Sequence, residues 1–221
     1  MTSSQSAPRF AIIVAGGSGS RMKSDVPKQF MMLHDKPILQ HTIERFLDVI
    51  PAEQIILVLP STDFQTWESL CDRHHFHPAI QTVTGGQTRF QSVRNGLAVI
   101  QDSDGFVAVH DGVRPFIWPE IIRNSYETAA RTGSAVTCVP VKDSVRVVGD
   151  DGVSQAVDRS RYRLIQTPQT FQLSQFRQAF QVTEQPFFTD CASVLEYAGF
   201  SITLIEGAYE NIKITTPDDL K

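Results

Sequence analysis

The sequence has few cysteines, no apolar run of membrane-spanning length and little excess of either charge. Its three cysteines, Cys71, Cys138 and Cys191, are far apart and form no Cys-x-x-Cys pair. That spacing argues against a disulfide framework and against a zinc site, and it predicts buried, reduced thiols. The polar stretch 1–8 lacks the apolar core of a signal peptide, and no longer apolar run could cross a bilayer. These absences predict a cytoplasmic protein.

The charge balance excludes a general affinity for polyanions. With a net charge of −4, the chain offers no overall attraction to nucleic acid or to an anionic membrane. A hydrophobic content of 41% and a charged content of 20% are ordinary for a globular protein. No Pro-, Gly- or Ser-rich linker divides the sequence, which predicts one domain over residues 1–221. An anionic ligand must therefore be bound by cations placed locally.

Short apolar segments alternate with segments of helical length along the chain. Strands are predicted at 10–14, 54–59, 80–83, 106–110, 134–139 and 202–205. Apolar residues at helical spacing predict crossover helices at 38–50 and 87–100. Strands separated by helices favour an α/β fold with a Rossmann-like, mostly parallel sheet flanked by helices. Ligands of such sheets bind beyond the carboxyl ends of the strands.

The segment at about 140–166 departs from this alternation. A β-branched run at 145–148 is followed by a turn of Gly and Asp at 149–152 and a second alternating piece. This pattern predicts a protruding β-hairpin arm. Three arginines stand at alternate positions near the end of this segment: Arg159, Arg161 and Arg163. In an extended segment they share one face, and the sequence leaves open whether that face binds a substrate or protects a strand edge.

The glycine-rich loop directly after the first predicted strand carries the strongest chemical signal. Three glycines within positions 16–19 leave backbone N–H groups accessible to a polyanion, and Arg21 and Lys28 add positive charge nearby. The dinucleotide fingerprint fails because Met22 stands at its third glycine position, and the P-loop fails because no Gly-Lys-Ser/Thr follows. The loop is predicted to bind phosphate outside both motifs. The alternative is an ordinary surface turn.

A second candidate lies at the end of the strand predicted at 106–110. Asp111 follows that apolar run directly. Magnesium is commonly bound through one or two carboxylates together with substrate phosphates and water, so one Asp facing a triphosphate loop is sufficient. The alternative is that Asp111 merely closes a turn.

Short segments spread over nearly the whole chain form a specific set. They are 15–22, 27–29, 85–86 with Arg89 and Ser92, 110–115, 140–144, 157–159, 166–169, 189–193 and 211–215. Together they resemble the 2-C-methyl-D-erythritol 4-phosphate cytidylyltransferase family of the non-mevalonate isoprenoid route. The resemblance implies transfer of CMP from CTP to this polyol phosphate, use of Mg²⁺ or another divalent cation, and a homodimer that exchanges its β-arms.

The resemblance also implies roles for individual residues. Arg21 and Lys28 would stabilise the transition state at the α-phosphate, and Asp111 would hold the metal ion bound with the triphosphate. The CTP-binding set is Ala15, Gly16, Gly17, Ser18, Gly19, Lys28, Gly85, Gly86, Gln87, Ser92 and Asp111. The acceptor-binding set is Asp111, Arg114, Ser144, Arg159 and Lys213. Arg159 and Lys213 are also expected to be catalytic, with Arg21 and Lys28, by holding the acceptor phosphate, and Arg159 is expected to reach the partner subunit's site.

The chain departs from the family pattern at two positions. Gln87 stands where members often have Asp near the cytidine, and Ser144 stands where Thr is common. Both replacements keep hydrogen-bonding capacity. Residues 216–219 open what resembles the family's final helix, so we expect the natural chain to continue beyond Lys221.

Two other functions are compatible with parts of the pattern. A sister cytidylyltransferase that acts on ribitol 5-phosphate has a similar glycine-rich loop, but segments 157–161 and 189–196 favour the methylerythritol branch. A non-catalytic nucleotide-binding regulator would keep the loop, yet it would have no reason to carry Lys28, Asp111 and Lys213 together.

Overall fold

The computed structural model describes residues 7–17 and 26–220 of the chain. Its strands, in chain order, are β1 (Arg9–Val14), β2 (Met32–Leu33), β3 (Lys36–Pro37), β4 (Ile55–Leu59), β5 (Gln81–Thr84), β6 (Phe106–Asp111), β7 (Ser134–Pro140), β8 (Arg146–Val148), β9 (Ser154–Ala156), β10 (Arg163–Gln172) and β11 (Leu204–Glu206). Seven of these form the main sheet of the described part, in the order β11-β7-β10-β6-β1-β4-β5. Neighbours run parallel except where β10 pairs with β6 and β7. The predicted mostly parallel sheet is confirmed.

Helices cover both faces of the sheet. They are α1 (Ile38–Leu47), α2 (Phe64–Arg73), α3 (Arg89–Ala98), α4 (Pro119–Thr132), α5 (Leu173–Ala179) and α6 (Cys191–Tyr197). Ile12 and Val58 pack with α3, α5 and α6, whereas Ile13 and Leu57 pack with α1, α2 and α4. Successive strand residues point to opposite faces of the sheet, and helices cover both faces. The central strands are therefore apolar at nearly every position. No helix in the described ranges is long and apolar enough to cross a membrane.

Helix α3 begins at the pocket described below. Thr88 caps it, since its Oγ1 accepts a hydrogen bond from the Gln91 N–H at 3.1 Å. Gly96 lets the helix lie close to the sheet, because a Cβ there would stand 2.8 Å from Ile12 Cγ2 and 3.0 Å from Val58 Cγ2. The last turn of α3 thereby packs closely against the middle of β1 and the end of β4.

The predicted hairpin is confirmed as the antiparallel pair β8–β9, in which Val148 lies opposite Ser154. The predicted alternation of the three arginines along an extended piece is wrong, because Arg159–Arg161 forms a 3₁₀ turn. The Asp158 carboxylate caps this turn by accepting bonds from the Ser160 N–H at 3.0 Å and from its hydroxyl at 2.7 Å. The extended backbone resumes with β10.

Strand β10 is the main element that the sequence pattern did not reveal. It runs antiparallel between β6 and β7, and its register with β7 shifts between Ile165 and Gln169. Pro168 lies in this irregular stretch and has no N–H for the ladder, so the local sequence argued against a central strand. The irregularity brings Thr167 beside the end of β6, where the Asp111 N–H donates to its hydroxyl oxygen at 3.1 Å.

Candidate active site

A pocket of about 420 Å³ opens at the carboxyl ends of β1 and β6. The predicted site residues that line it are Ala15, Gly16, Gly17, Lys28, Gly86, Gln87, Ser92, Asp111 and Lys213. Gly85 lies directly behind it, because a Cβ on Gly85 would stand 3.1 Å from Ser92 Oγ. Ser18, Gly19 and Arg21 lie outside the described residues. One pocket therefore joins the loop after β1 with the end of β6 and the start of α3.

Lys28 enters the pocket from a short 3₁₀ turn, Lys28–Phe30. Its side chain is buried and lies beside the glycine-rich loop, where a Cβ on Gly17 would stand 3.5 Å from Lys28 Cε and 3.8 Å from Nζ. Gln29 secures the turn by donating from Nε2 to Asp63 Oδ2 at 3.0 Å. The sequence separates Lys28 from the loop, but the fold places the two together.

The Asp111 carboxylate is surrounded by three cations. Its Oδ2 lies 3.1 Å from Lys213 Nζ and 3.3 Å from Arg114 Nε, and its Oδ1 lies 3.7 Å from Arg89 Nε. Burial by itself would raise the pKa of Asp111, but attraction to Arg89, Lys213 and Arg114 lowers it below the usual range of a carboxyl group. Asp111 is therefore ionised at neutral pH, and three cations against one carboxylate leave the cluster positive.

Two loops hold the cations of this cluster in place. The guanidinium of Arg114 donates from Nη1 to the backbone oxygen of Asn211 at 2.8 Å. The Ile214 N–H donates to the Val113 oxygen at 2.9 Å, which ties the chain around Lys213 to the turn after β6. These bonds span about a hundred residues of sequence. Spacing alone could therefore not reveal that Arg114 and Lys213 lie beside the same carboxylate.

Arg89 is a pocket residue to which the sequence gave no role. Its Nη1 donates to the sulfur of Cys191 at 3.2 Å, so the guanidinium spans the space between β6 and the start of α6. Burial raises the pKa of the Cys191 thiol, which keeps the sulfur protonated and neutral as an acceptor. The available signal was the position of Arg89 as the first residue of α3, directly after the capping Thr88.

The turn after β6 lies against the loop after β1. The Gly112 N–H donates to the Val14 oxygen at 2.8 Å, and a Cβ on Gly112 would stand 2.9 Å from both Ala15 Cβ and Leu39 Cδ1. Glycine is therefore required for this close approach. Burial lowers the pKa of the neighbouring His110 to about 3, so its imidazole is neutral at physiological pH.

In the described part of the chain, the pocket offers a divalent cation one carboxylate ligand, Asp111. Across the ranges 7–17 and 26–220, no three His, Cys, Asp or Glu side chains converge. Asp111 fits as a single carboxylate ligand, because it lines the pocket and its Oδ1 has the longer cation contact, at 3.7 Å from Arg89 Nε, while Oδ2 contacts Lys213 and Arg114. Phosphate oxygens and water would have to complete the coordination shell.

One copy of the chain does not assemble the whole predicted acceptor set. Asp111, Arg114 and Lys213 are together, but Ser144 and Arg159 are exposed on the arm side and do not line the pocket. The Arg159 guanidinium instead donates to the backbone oxygen of Lys142. The structure of one copy therefore does not bring these two side chains to the predicted acceptor site.

Comparison with known proteins identifies the family. The family model described as IspD, 2-C-methyl-D-erythritol 4-phosphate cytidylyltransferase, matches residues 10–221. A protein of that name from Bacteroides thetaiotaomicron is 50% identical over 210 residues, covering 95% of each chain. Another from Porphyromonas gingivalis is 46% identical over 213 residues, covering 96% of this chain and 94% of the relative.

Solved structures agree with the sequence relatives. A 4-diphosphocytidyl-2C-methyl-D-erythritol synthase from Anaerococcus prevotii superposes with a TM-score of 0.82 at 28% identity, covering 96% of this chain and 92% of that one. The 2-C-methyl-D-erythritol 4-phosphate cytidylyltransferase of Francisella tularensis gives a TM-score of 0.77 at 32% identity, covering 97% of each chain. The chain therefore belongs to the 2-C-methyl-D-erythritol 4-phosphate cytidylyltransferase family and is a CTP-dependent transferase of isoprenoid precursor biosynthesis.

Proposed function

We propose that the pocket holds CTP against the loop after β1 and the start of α3, and holds the acceptor phosphate against Arg114 and Lys213. The observation that carries this proposal is the convergence of Lys28, Asp111 and Lys213 on one pocket beside the glycine-rich loop. Two anionic substrates repel each other in water, and a positive cluster offsets that repulsion. The net positive charge around Asp111 supports an acceptor phosphate at this end of the pocket.

The proposed chemistry is an in-line displacement at the α-phosphorus of CTP. A phosphate oxygen of the acceptor supplies the electron pair for the new P–O bond, and the bond from the α-phosphorus to the bridging oxygen breaks. Pyrophosphate leaves with that electron pair, so no covalent enzyme intermediate forms. The attacking phosphate is already ionised, and no general base is required. The protein therefore acts by positioning the two substrates and by stabilising charge.

Each cation has a place in this scheme. Lys28, buried beside Gly17, faces the α-phosphate and stabilises the charge that builds on its oxygens, together with Arg21. Lys213 is held by Asp111 at 3.1 Å and directs its ammonium toward the acceptor phosphate. Mg²⁺ bound by Asp111 and the triphosphate would neutralise charge on the leaving pyrophosphate.

A direct test of this function is pyrophosphate release with CTP and each of two acceptors in parallel. We expect a much higher kcat/KM with 2-C-methyl-D-erythritol 4-phosphate than with ribitol 5-phosphate. The reaction without an acceptor is the blank. Equal or greater efficiency with ribitol 5-phosphate would move the chain to the sister activity while leaving the CTP chemistry in place.

Asp111→Asn is expected to raise the Mg²⁺ concentration required for half-maximal activity by about tenfold, because the charge is removed while the size is kept. Initial rates over a Mg²⁺ titration measure the effect. Asp48→Asn is the matched control, because this substitution removes the same charge at an exposed position directly after α1. A titration that is the same for Asp111→Asn and the wild type would remove Asp111 from the metal site.

We further propose a cytoplasmic homodimer with exchanged arms. The arm exposes the apolar side chains of Val147, Val148 and Val153, and the adjoining start of β10 exposes Leu164 and Ile165. A two-stranded hairpin is marginally stable alone, so a second copy of this chain is a suitable cover for that surface. Exchange would also carry Ser144 and Arg159 toward the partner's acceptor site. Neither nucleic acid nor membrane has a part in the scheme.

A further inference from the structure

Beneath the Asp111 cluster lies a chain of buried hydrogen bonds to which the proposed chemistry gives no role. The Asp111 N–H donates to Thr167 Oγ1 at 3.1 Å, and the same hydroxyl lies 3.0 Å from His110 Nδ1. The other ring nitrogen, Nε2, lies 3.3 Å from the backbone oxygen of Arg114. All four residues are buried. The chain thus joins the backbone at the two ends of the 111–114 turn through two side chains.

One arrangement of protons satisfies every contact in this chain. The Arg114 carbonyl has only lone pairs, so His110 Nε2 must carry the hydrogen and donate it. In the neutral ring, Nδ1 is then an acceptor, and the Thr167 hydroxyl donates to it. The Thr167 oxygen keeps lone pairs for the Asp111 N–H. The three hydrogen bonds therefore all run the same way, from the Asp111 N–H through Thr167 and His110 to the Arg114 carbonyl, which fixes the tautomer of His110.

We propose that His110 and Thr167 are positioning residues, which hold the 111–114 turn so that Asp111 and Arg114 present their charged groups to the substrates. The inference rests on the proposed roles of Asp111 and Arg114. The Arg114 N–H also donates to the Asp111 oxygen at 3.1 Å, which closes the turn but does not fix its orientation against β10. Thr167 supplies that link because it belongs to β10.

The position of the turn matters because both charged groups extend from it. The Asp111 Oδ2 atom meets Arg114 Nε at 3.3 Å and Lys213 Nζ at 3.1 Å, so a small displacement of the turn moves a carboxylate and two cations together. Displacements of about 1 Å can lower a rate by roughly a hundredfold. The ring of His110 also packs against Phe46, with 5.0 Å between the ring centroids, so aromatic packing holds the ring in position in addition to its hydrogen bonds.

The test compares substitutions on one strand. Thr167→Val removes the hydroxyl but keeps the shape, and we expect it to lower kcat/KM by about tenfold to a hundredfold. Thr167→Ser keeps the hydroxyl and should retain activity. Thr170→Val is the matched control: Thr170 is also buried in β10 and donates from Oγ1 to Ser125 Oγ at 2.8 Å, away from the pocket. It should lower the melting temperature as Thr167→Val does, without the kinetic loss.

A second measurement begins with the wild-type enzyme, so its first result does not depend on any variant folding. Nitrogen-15 chemical shifts of the His110 imidazole in the wild-type enzyme should show the Nε2–H tautomer, and an Nδ1–H tautomer would overturn the inference. In Thr167→Val, the shift of Nδ1 should move, since its donor is lost. His110→Phe combined with Thr167→Val should be no worse than the poorer single variant, because both interrupt the same chain.

The outcomes separate this inference from the proposed function. Normal kinetics in Thr167→Val together with impaired Asp111→Asn would overturn the positioning role alone. Normal kinetics in Asp111→Asn would overturn the proposed role of Asp111, and the inference with it. Equal kinetic losses in Thr167→Val and Thr170→Val would assign the effect to general destabilisation and would also overturn the inference.

Discussion

Lys28→Ala is expected to lower kcat on the order of 10²–10³-fold while changing the KM for CTP little. The ammonium matters most as charge builds on the oxygens of the five-coordinate phosphorus, which exists only in the transition state. The buried position of Lys28 beside Gly17 strengthens the effect, because water screens the interaction less there. Steady-state kinetics over a full range of CTP concentrations separates kcat from KM.

Lys36→Ala is the matched control for this experiment. Lys36 lies near Lys28 in sequence but pairs with Glu44 at 3.0 Å on the partly exposed side of α1, so its loss should leave both kinetic constants nearly unchanged. An unchanged kcat for Lys28→Ala with a proportionately raised KM would limit Lys28 to binding the ground-state nucleotide.

Mixing inactive Lys28→Ala and Arg159→Ala proteins is expected to restore activity. If Arg159 acts on the partner's site, the heterodimer has one doubly altered site and one site with every native residue. Random exchange at equal concentrations makes half of the dimers mixed, so recovery should approach about a quarter of the wild-type specific activity. The test is motivated by the position of Arg159 within one copy. Arg159 contacts Lys142 and does not line the pocket, whereas Asp111 and Lys213 do.

A second mixture provides the negative control. Lys28 and Asp111 line the same pocket of one chain, so mixing Lys28→Ala with Asp111→Asn leaves no native site in any dimer. Subunit exchange is verified separately with two differently tagged chains. Absence of recovery in the Arg159 mixture, once exchange is verified, would place Arg159 in its own subunit's site or outside both.

The sheet could be predicted where its strands are apolar on both faces. The six strands expected from the sequence are all present within two residues of their expected ends. Strand β10 could not be predicted in the same way, because its interior is polar. Gln169, for example, is buried and accepts from the Cys191 and Ala192 N–H groups at 3.0 and 3.1 Å while donating to Asp190. Such a residue looks like a loop residue until its distant partners are known.

The candidate site, too, could be predicted where a local sequence pattern marks it, and not where its contacts join distant parts of the chain. The glycine-rich loop and Asp111 could be located because the loop directly follows one recognisable strand and Asp111 ends another. The contacts of Arg89 with Cys191 and of Thr167 with His110 join residues far apart in the chain, and no local pattern encodes them. The roles of Arg114 and Lys213 came from the family resemblance, and the structure adds the carboxylate that holds them together.

The way the arm leaves the sheet bears on how two copies would meet in the proposed dimer. The ladder between β7 and β10 continues outward through the pairs Cys138–Ile165, Val139–Leu164 and Pro140–Arg163, so the arm is attached by two hydrogen-bonded strands. A hairpin on a flexible linker would lose orientational freedom when it docked. The hairpin of this chain is already oriented by the β7–β10 ladder when its own chain folds, so it has less freedom left to lose. In the proposed dimer, the entropic cost of association would be correspondingly smaller, and the twist of the sheet would set the angle between the two copies.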